Sequence, residues 1–190
     1  MDNVKIPVGI SGRHLHLSAE DLALLFGGNR ALQKSKELSQ HGQYAAMERV
    51  TLVGPKGEIA NTRVLGPTRP RTQVEVSMTD AVKLGLVPPV RESGDMAGAC
   101  NVRIRGPMGE IEVLEAVIIA WRHIHMSPQD AIDLGLSDKD RVSVCVPGQR
   151  GGSLNQVVVR VRPDFRLELH IDTDEANAFG LQSGDLVEIC

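Results

Sequence analysis

Four of the six histidines in this 190-residue chain lie in two matching His-x-His pairs. His14 and His16 belong to the string GRHLHLS, and His123 and His125 belong to the near copy WRHIHMS. Side chains two positions apart on a β-strand point to the same side, so each pair presents two imidazoles together. Imidazole nitrogens bind zinc and other divalent ions. One pair alone is a weak indication, because two solvent-exposed histidines would explain it, but the duplication favours metal binding.

Two more residues are placed for the same chemistry. His170, in the segment LELHID, and Glu75, in QVEVS, each lie between apolar neighbours in an alternating strand pattern. Both side chains therefore face away from the apolar side of their strands, where solvent exposure is the ordinary outcome for either one alone. The remaining histidine, His41, has no repeat partner and lies among turn-forming residues, so we expect it in a surface loop.

Arginines lie close to these strands in the sequence. Arg69 and Arg71 belong to the segment GPTRPRTQVEVS, and Arg91 and Ser93 belong to the loop-like segment PPVRESGD. A guanidinium group is a planar fork of donors that suits phosphate and carboxylate groups. The segments indicate either an anion site or a cluster of solvated arginines.

Short repeats describe the elements that must position these residues. GPKGEI and GPMGEI each lie between strand-like runs and are typical of hairpin turns. DAVKLGL, DAIDLGL and EANAFGL predict short helices that end at Gly85, Gly135 and Gly180. The chain lacks the long alternating strand and helix segments of a parallel doubly wound sheet.

The predicted fold is therefore mainly β with short helices (α+β). We expect two small β-barrel domains with capping helices, related by internal duplication. The N-terminal barrel is placed at residues 1–93, with an irregular excursion at 28–46, and the C-terminal barrel at 94–190.

Composition excludes several classes of partner. The net charge of -3 and pI near 6.1 give no general attraction to nucleic acid or to anionic membranes, and aromatic residues make up only 3%. No apolar run reaches the roughly 18 residues of a membrane-spanning helix. Three widely spaced cysteines argue against a disulfide framework and suit a reducing cytoplasm, with Cys100 and Cys145 expected as small core residues.

Six longer segments, spread over nearly the whole chain, carry a resemblance to a known family. PVGISGRHLHLS, LSQHGQYAA, RVLGPTRPRTQVEVSMTDA, LGLVPPVRESGD, VIIAWRHIHMSP and LELHIDTDEANA occur in this order. Together they resemble the PduL-type phosphate acyltransferases (phosphotransacylases), also called phosphate propanoyltransferases. One departure is His41, which stands where that family is expected to have proline, outside the metal pattern.

The resemblance implies two β-barrel domains and two closely spaced divalent metal ions, usually zinc. Carried over by position, the metal ligands would be His14, His16, Glu75, His123, His125 and His170. The two halves suggest His14, His16 and Glu75 on one ion and the other three on the second. The duplicated pairs would then bring matching ligands to one shared site between the domains.

The reaction implied by the resemblance moves a short acyl group between coenzyme A and inorganic phosphate. Arg69 would be the catalytic residue that binds phosphate, with Ser93 and Arg91 as further substrate-binding residues. The partners would be acyl-CoA or CoA and phosphate or acyl phosphate, without nucleic acid or membrane; homo-oligomer formation is compatible with them. No serine or cysteine is flanked by a free histidine, so direct transfer is favoured over an acyl-enzyme.

Two alternatives stay open on the sequence. A dinuclear zinc hydrolase also uses His-x-His on a strand, although its usual barrel needs about 250 residues. A non-catalytic metal-binding module is the other. Relatives housed in bacterial microcompartments often carry an N-terminal extension, whereas this chain starts close to its first predicted strand, which predicts a free cytoplasmic enzyme.

Overall fold

Strand pairing divides the chain into two units in the computed structural model, which describes residues 4–28 and 30–190. The central unit comprises residues 12–120, and the terminal unit joins residues 4–11 to residues 121–190. In chain order the strands are β1 Ile6–Ser11, β2 His14–His16, β3 Lys34–Glu37, β4 Tyr44–Val53, β5 Glu58–Gly66, β6 Gln73–Glu75, β7 Val90–Arg91, β8 Cys100–Arg105, β9 Glu110–Ala120, β10 His123–Met126, β11 Arg141–Val146, β12 Gly152–Val161, β13 Glu168–Asp172 and β14 Leu186–Ile189. The helices are α1 Ala19–Phe26, α2 Met78–Leu84, α3 Pro128–Leu134 and α4 Thr173–Phe179.

The central unit is a closed barrel of six strands. Strand β2 is parallel to β5 and antiparallel to β6, and β6 continues in parallel to β9. Strand β8 pairs with both β9 and β4, and β4 pairs with β5, which closes the ring. Strands β3 and β7 add to β4 and β9 from outside the ring.

The terminal unit repeats this arrangement strand for strand. Strand β10 is parallel to β12 and antiparallel to β13, and β13 continues in parallel to β1. Strand β14 pairs with both β1 and β11, and β11 pairs with β12. The N-terminal strand β1 thus occupies in this barrel the place that β9 occupies in the other. The predicted fold class of two small barrels with short helices is confirmed.

The predicted division at residues 93 and 94 does not coincide with the two units. Residues 94–120 supply β8 and β9, which complete the central barrel. Strand β1 pairs with β13 through Val8 and Leu169 and so belongs to the terminal barrel. The predicted excursion at 28–46 also contains regular structure, since Lys34–Glu37 forms a strand on β4.

Alternation along the His-x-His strands separates the core from the polar side chains. Leu15 and Ile124, the middle residues of the two pairs, are fully buried within the apolar cores of their barrels. Neighbouring side chains on a strand point to opposite faces, so the histidines of each pair lie on the other face from these core residues.

The three helices predicted from their glycines are present. Gly85, Gly135 and Gly180 end α2, α3 and α4 with φ angles of 76°, 65° and 68°, a left-handed conformation that glycine adopts without steric cost. Helix α1 adds a fourth. Among the described residues, no helix has the length and apolar character needed to cross a membrane.

The expectations for the cysteines are wrong in part. Cys145 and Cys190 form a disulfide between neighbouring segments of the terminal barrel, with their Cα atoms 5.4 Å apart. Cys145 lies between the buried residues Val144 and Val146, so alternation turns it outward rather than into the core. Cys100 is free and packs partly buried against the central core.

Candidate metal centres

The terminal unit brings three histidines together. His123 on β10 lies directly opposite His170 on β13, and their rings are stacked with centroids 5.1 Å apart. The His125 ring lies 4.6 Å from that of His123 and 4.5 Å from that of His170. One nitrogen of each ring lies within 4.8 Å of the others. We call these three residues the terminal ligand set.

The ring nitrogens of this set fit a metal ion. His123 Nδ1 is 2.7 Å from the carbonyl oxygen of Trp121, which favours the tautomer that donates from Nδ1 and leaves Nε2 for a metal. Within the described part of the chain, both ring nitrogens of His125 and Nε2 of His170 are buried without a hydrogen-bond partner. A carboxylate oxygen of Glu168 approaches His170 Nε2 to 2.8 Å but outside hydrogen-bond geometry. Buried polar atoms without partners are costly, and coordination of an ion would satisfy them.

The central unit holds the equivalent group. His14 on β2 lies opposite Glu75 on β6, with Nε2 3.5 Å from a carboxylate oxygen of Glu75. His14 Nδ1 is 2.9 Å from the carbonyl oxygen of Gly12, which repeats the contact of His123 with its own strand. The His16 ring lies 5.6 Å from that of His14, and its Nδ1 is buried with no partner among the described residues. We call His14, His16 and Glu75 the central ligand set.

Both sets keep one histidine in the neutral form that metals bind. Burial, followed by the charges of Arg69 and His14, lowers the pKa of His16 from its ordinary value to about 3. Burial, followed by the charges of His123 and His170, lowers the pKa of His125 well below its ordinary value. A metal therefore has no proton to displace from either ring at neutral pH.

A hydrogen-bond network joins Arg69 and Ser93 to the central ligand set. Arg69 Nη1 donates to Ser93 Oγ at 3.1 Å. The amide nitrogen of Gln73 donates to the same Ser93 oxygen at 2.8 Å and to Glu75 Oε1 at 2.6 Å. The amide oxygen of Gln73 accepts from the backbone N–H of Gly94 at 2.8 Å, which fixes the orientation of the amide. Two segments predicted separately as anion-binding thus meet beside one ligand set.

The other candidate residues lie elsewhere. Arg91 donates to the carbonyl oxygens of Ala97 and Val90, each at 3.0 Å, so its guanidinium holds its own loop. The side chain of Arg71 is 65% exposed, and its guanidinium lies 3.8 Å from Glu115. His41 is exposed in a turn, as predicted.

Sequence reasoning missed Gln73 and the role of the arginine that precedes each His-x-His pair. Gln73 stands two residues before Glu75 on the same strand face, the spacing that draws attention to the histidines. Arg13 forms an ion pair with Asp80 in the first turn of α2, and Arg122 forms one with Glu175 in the first turn of α4, both at 3.0 Å. Each pair connects the start of a His-x-His strand to the helix that follows the third ligand.

Replacing Gln73 with leucine is expected to weaken metal binding by the central set by about 10- to 100-fold, the usual effect of losing a group that orients a ligand. The substitution removes the N–H donor that holds Glu75 Oε1. Competition with a chelator of known affinity measures the effect. Ser93→Ala is the matched control, because it removes the other partner of the same amide nitrogen and should leave metal affinity unchanged. Equal affinity in both variants would contradict the orienting role of Gln73.

The fold and these sites define a class: a duplicated double-barrel protein in which the histidine cluster His123, His125 and His170 could hold a metal ion. A sequence model of the phosphate propanoyltransferase family matches residues 7–182. Relatives named phosphate propanoyltransferase include one from Thermotoga maritima, 57% identical over 97% of this chain and 88% of its own length. The relative from Salmonella typhimurium is 54% identical over 92% of this chain and 83% of its own length. The relative from Rhodobacter capsulatus is 48% identical over 99% of this chain and 87% of its own length. The chain belongs to the phosphate propanoyltransferase family, whose members are acyltransferases, which confirms the resemblance found in the sequence.

Proposed function

We propose that this chain transfers a short acyl group between coenzyme A and inorganic phosphate at two bound divalent ions, with zinc as the expected metal. The observation that carries the proposal is the Arg69–Ser93 pair, which hydrogen bonding connects through Gln73 to a ligand of the central set. His14, His16 and Glu75 would hold a cation, and this pair would hold an anion beside them. Family membership supports the same chemistry.

Each ligand set offers three side chains to one ion, which leaves coordination positions for substrate. Bound divalent ions supply Lewis acidity, which offsets the charge of phosphate and polarises a thioester carbonyl.

Arg69 and Ser93 hold the attacking phosphate. The guanidinium of Arg69 offers a planar fork that neutralises phosphate charge through charge-assisted hydrogen bonds. Ser93 Oγ already accepts two hydrogen bonds, from Arg69 and from Gln73, so its own hydrogen is directed away from both. That hydrogen is the donor to a phosphate oxygen. The prediction that Arg91 contacts substrate stays a prediction, while its bonds to Val90 and Ala97 support a role in holding the loop that carries Ser93.

The transfer is direct in this proposal. A phosphate oxygen forms a bond to the acyl carbon as the carbon–sulfur bond breaks, and coenzyme A leaves as the thiolate, which is protonated from solvent. Ser93 Oγ is engaged as an acceptor from Arg69 and Gln73 rather than paired with a base.

The deciding experiment measures thiol release from acetyl-CoA and propanoyl-CoA with and without inorganic phosphate. The proposal expects thiol release only with phosphate, together with an equal amount of acyl phosphate trapped by hydroxylamine. Thiol release that needs no phosphate and yields free acid would instead favour a dinuclear zinc hydrolase. Tight metal binding with no turnover of either thioester would favour a non-catalytic metal-binding module.

A further inference from the structure

The terminal unit contains a counterpart of Arg69. Both Arg69 and Arg162 are followed by proline and precede the strand that carries the third metal ligand. The backbone N–H of Arg69 donates to the carbonyl oxygen of Leu17 at 2.9 Å, and that of Arg162 donates to Met126 at 3.1 Å. Leu17 and Met126 each directly follow the second histidine of a His-x-His pair. Arg162 therefore occupies in the terminal barrel the backbone position that Arg69 occupies in the central barrel.

The loop after this arginine is longer in the terminal unit, where it runs from Arg162 to His170 rather than from Arg69 to Glu75. The longer loop carries Phe165, whose ring stacks on His125 with centroids 3.8 Å apart. Two guanidinium groups lie over the Phe165 ring: the Cζ atom of Arg160 at 5.7 Å and that of Arg162 at 5.1 Å from its centroid. An aromatic face attracts such cations and holds them in place.

Two guanidiniums and two carboxylates lie around the terminal ligand set, those of Arg160, Arg162, Asp164 and Glu168. Arg162 donates to both carboxylate oxygens of Asp164, at 3.0 and 3.1 Å. Arg160 forms no ion pair with residues 4–28 or 30–190, and it lies opposite His125 in the pairing of β12 with β10. Asp164 thus pairs with Arg162, and the carboxylate of Glu168 lies 2.8 Å from His170 Nε2.

We propose that Arg160 and Arg162 form a binding subsite for a phosphate group of the acyl-CoA substrate, separate from the inorganic phosphate held by Arg69. The proposal rests on the proposed function, which requires a thioester whose carrier is itself phosphorylated. Two guanidiniums held over one ring offer several N–H donors in fixed directions, the arrangement that phosphate recognition uses. Arg160 is the principal contact, because Asp164 already occupies the fork of Arg162.

The test compares wild type and Arg160→Gln on acetyl-CoA, on acetyl-dephospho-CoA, which lacks only the 3′-phosphate, and on acetyl-pantetheine, which lacks all phosphate groups. The variant is expected to raise the KM for acetyl-CoA by about 10-fold or more, the effect of losing a charge-assisted hydrogen bond. The KM for inorganic phosphate and the metal content should not change. On acetyl-pantetheine the two proteins should react equally well.

The dephosphorylated substrate distinguishes the two sources of phosphate within coenzyme A. If variant and wild type become equal on it, Arg160 binds the 3′-phosphate; if the difference persists, Arg160 binds the diphosphate. An unchanged KM for acetyl-CoA, or an equal loss on acetyl-pantetheine, would overturn the subsite. A rise in the KM for inorganic phosphate alone would also overturn it.

Two controls accompany the variant. Arg160→Lys should recover part of the affinity, because it restores the charge without the fork. Arg150→Gln alters another arginine of the terminal unit, one that donates to the carbonyl oxygen of Ala178, and should leave the KM for acetyl-CoA unchanged.

Calorimetric titration of metal-loaded protein with CoA separates this proposal from the proposed function. Weaker CoA binding by Arg160→Gln supports the subsite even if wild type shows no acyl transfer, and equal binding overturns it.

Discussion

Replacing His125 with alanine is expected to remove one of the two proposed metal ions per chain and to lower acyl transfer at least about a thousand-fold. The two remaining histidines of the terminal set are fewer than the three protein ligands of a typical catalytic zinc site. Loss of the ion removes Lewis acidity worth several kcal/mol, and three factors of ten in rate correspond to about 4 kcal/mol. Elemental analysis of the purified protein and the phosphate-dependent thiol assay measure the two effects.

His41→Ala is the matched control, because this exposed histidine belongs to neither ligand set. It should retain two ions and full activity. His16→Ala should remove the other ion and leave the terminal set loaded, since the two sets belong to different barrels. Normal metal content and normal turnover in His125→Ala would mean that His125 has no role in metal binding, and would contradict the proposed metal chemistry.

Much of both ligand sets is predictable because strand alternation is a local property. The i, i+2 spacing places the members of each His-x-His pair on one face, and the polar phase of LELHID and QVEVS selects His170 and Glu75. The structure pairs His123 with His170 and His14 with Glu75 directly across neighbouring strands. The same rule, applied to RVSVCV, would have turned Cys145 outward and away from the core.

The remaining features depend on contacts between distant parts of the chain. Nothing in the sequence near β1 indicates that it closes the terminal barrel beside β13, because its apolar pattern suits either barrel equally well. Arg69 donates directly to Ser93, and Gln73 donates to the same Ser93 oxygen from a strand that is distant in sequence from the loop of Ser93. The equivalence of Arg162 and Arg69 is visible from their backbone bonds to Met126 and Leu17. The loops that follow the two arginines differ in length, which obscures the repeat in the sequence.

Replacing Arg69 with alanine is expected to lower kcat/KM by about 10- to 1000-fold, with the loss concentrated in a higher KM for inorganic phosphate or a lower kcat. Arg69 is not a metal ligand, so the variant should keep its full metal content. Arg69→Lys should recover only part of the activity, because a point charge cannot replace a planar fork with two parallel donors. Initial rates over a range of phosphate concentrations, with metal analysis of the same samples, measure these effects.

Arg71→Ala tests whether the effect belongs to Arg69 itself. Arg71 lies two residues away, but its side chain is largely exposed, and the carboxylate of Glu115 lies 3.8 Å from its guanidinium. An ion pair between exposed groups contributes little to stability, so its loss should change kcat/KM by less than about 3-fold. Equal damage from Arg69→Ala and Arg71→Ala would mean that the two act as a diffuse basic patch. Full activity in Arg69→Ala would remove this residue from the phosphate site, since its bond to Ser93 would then serve the loop alone.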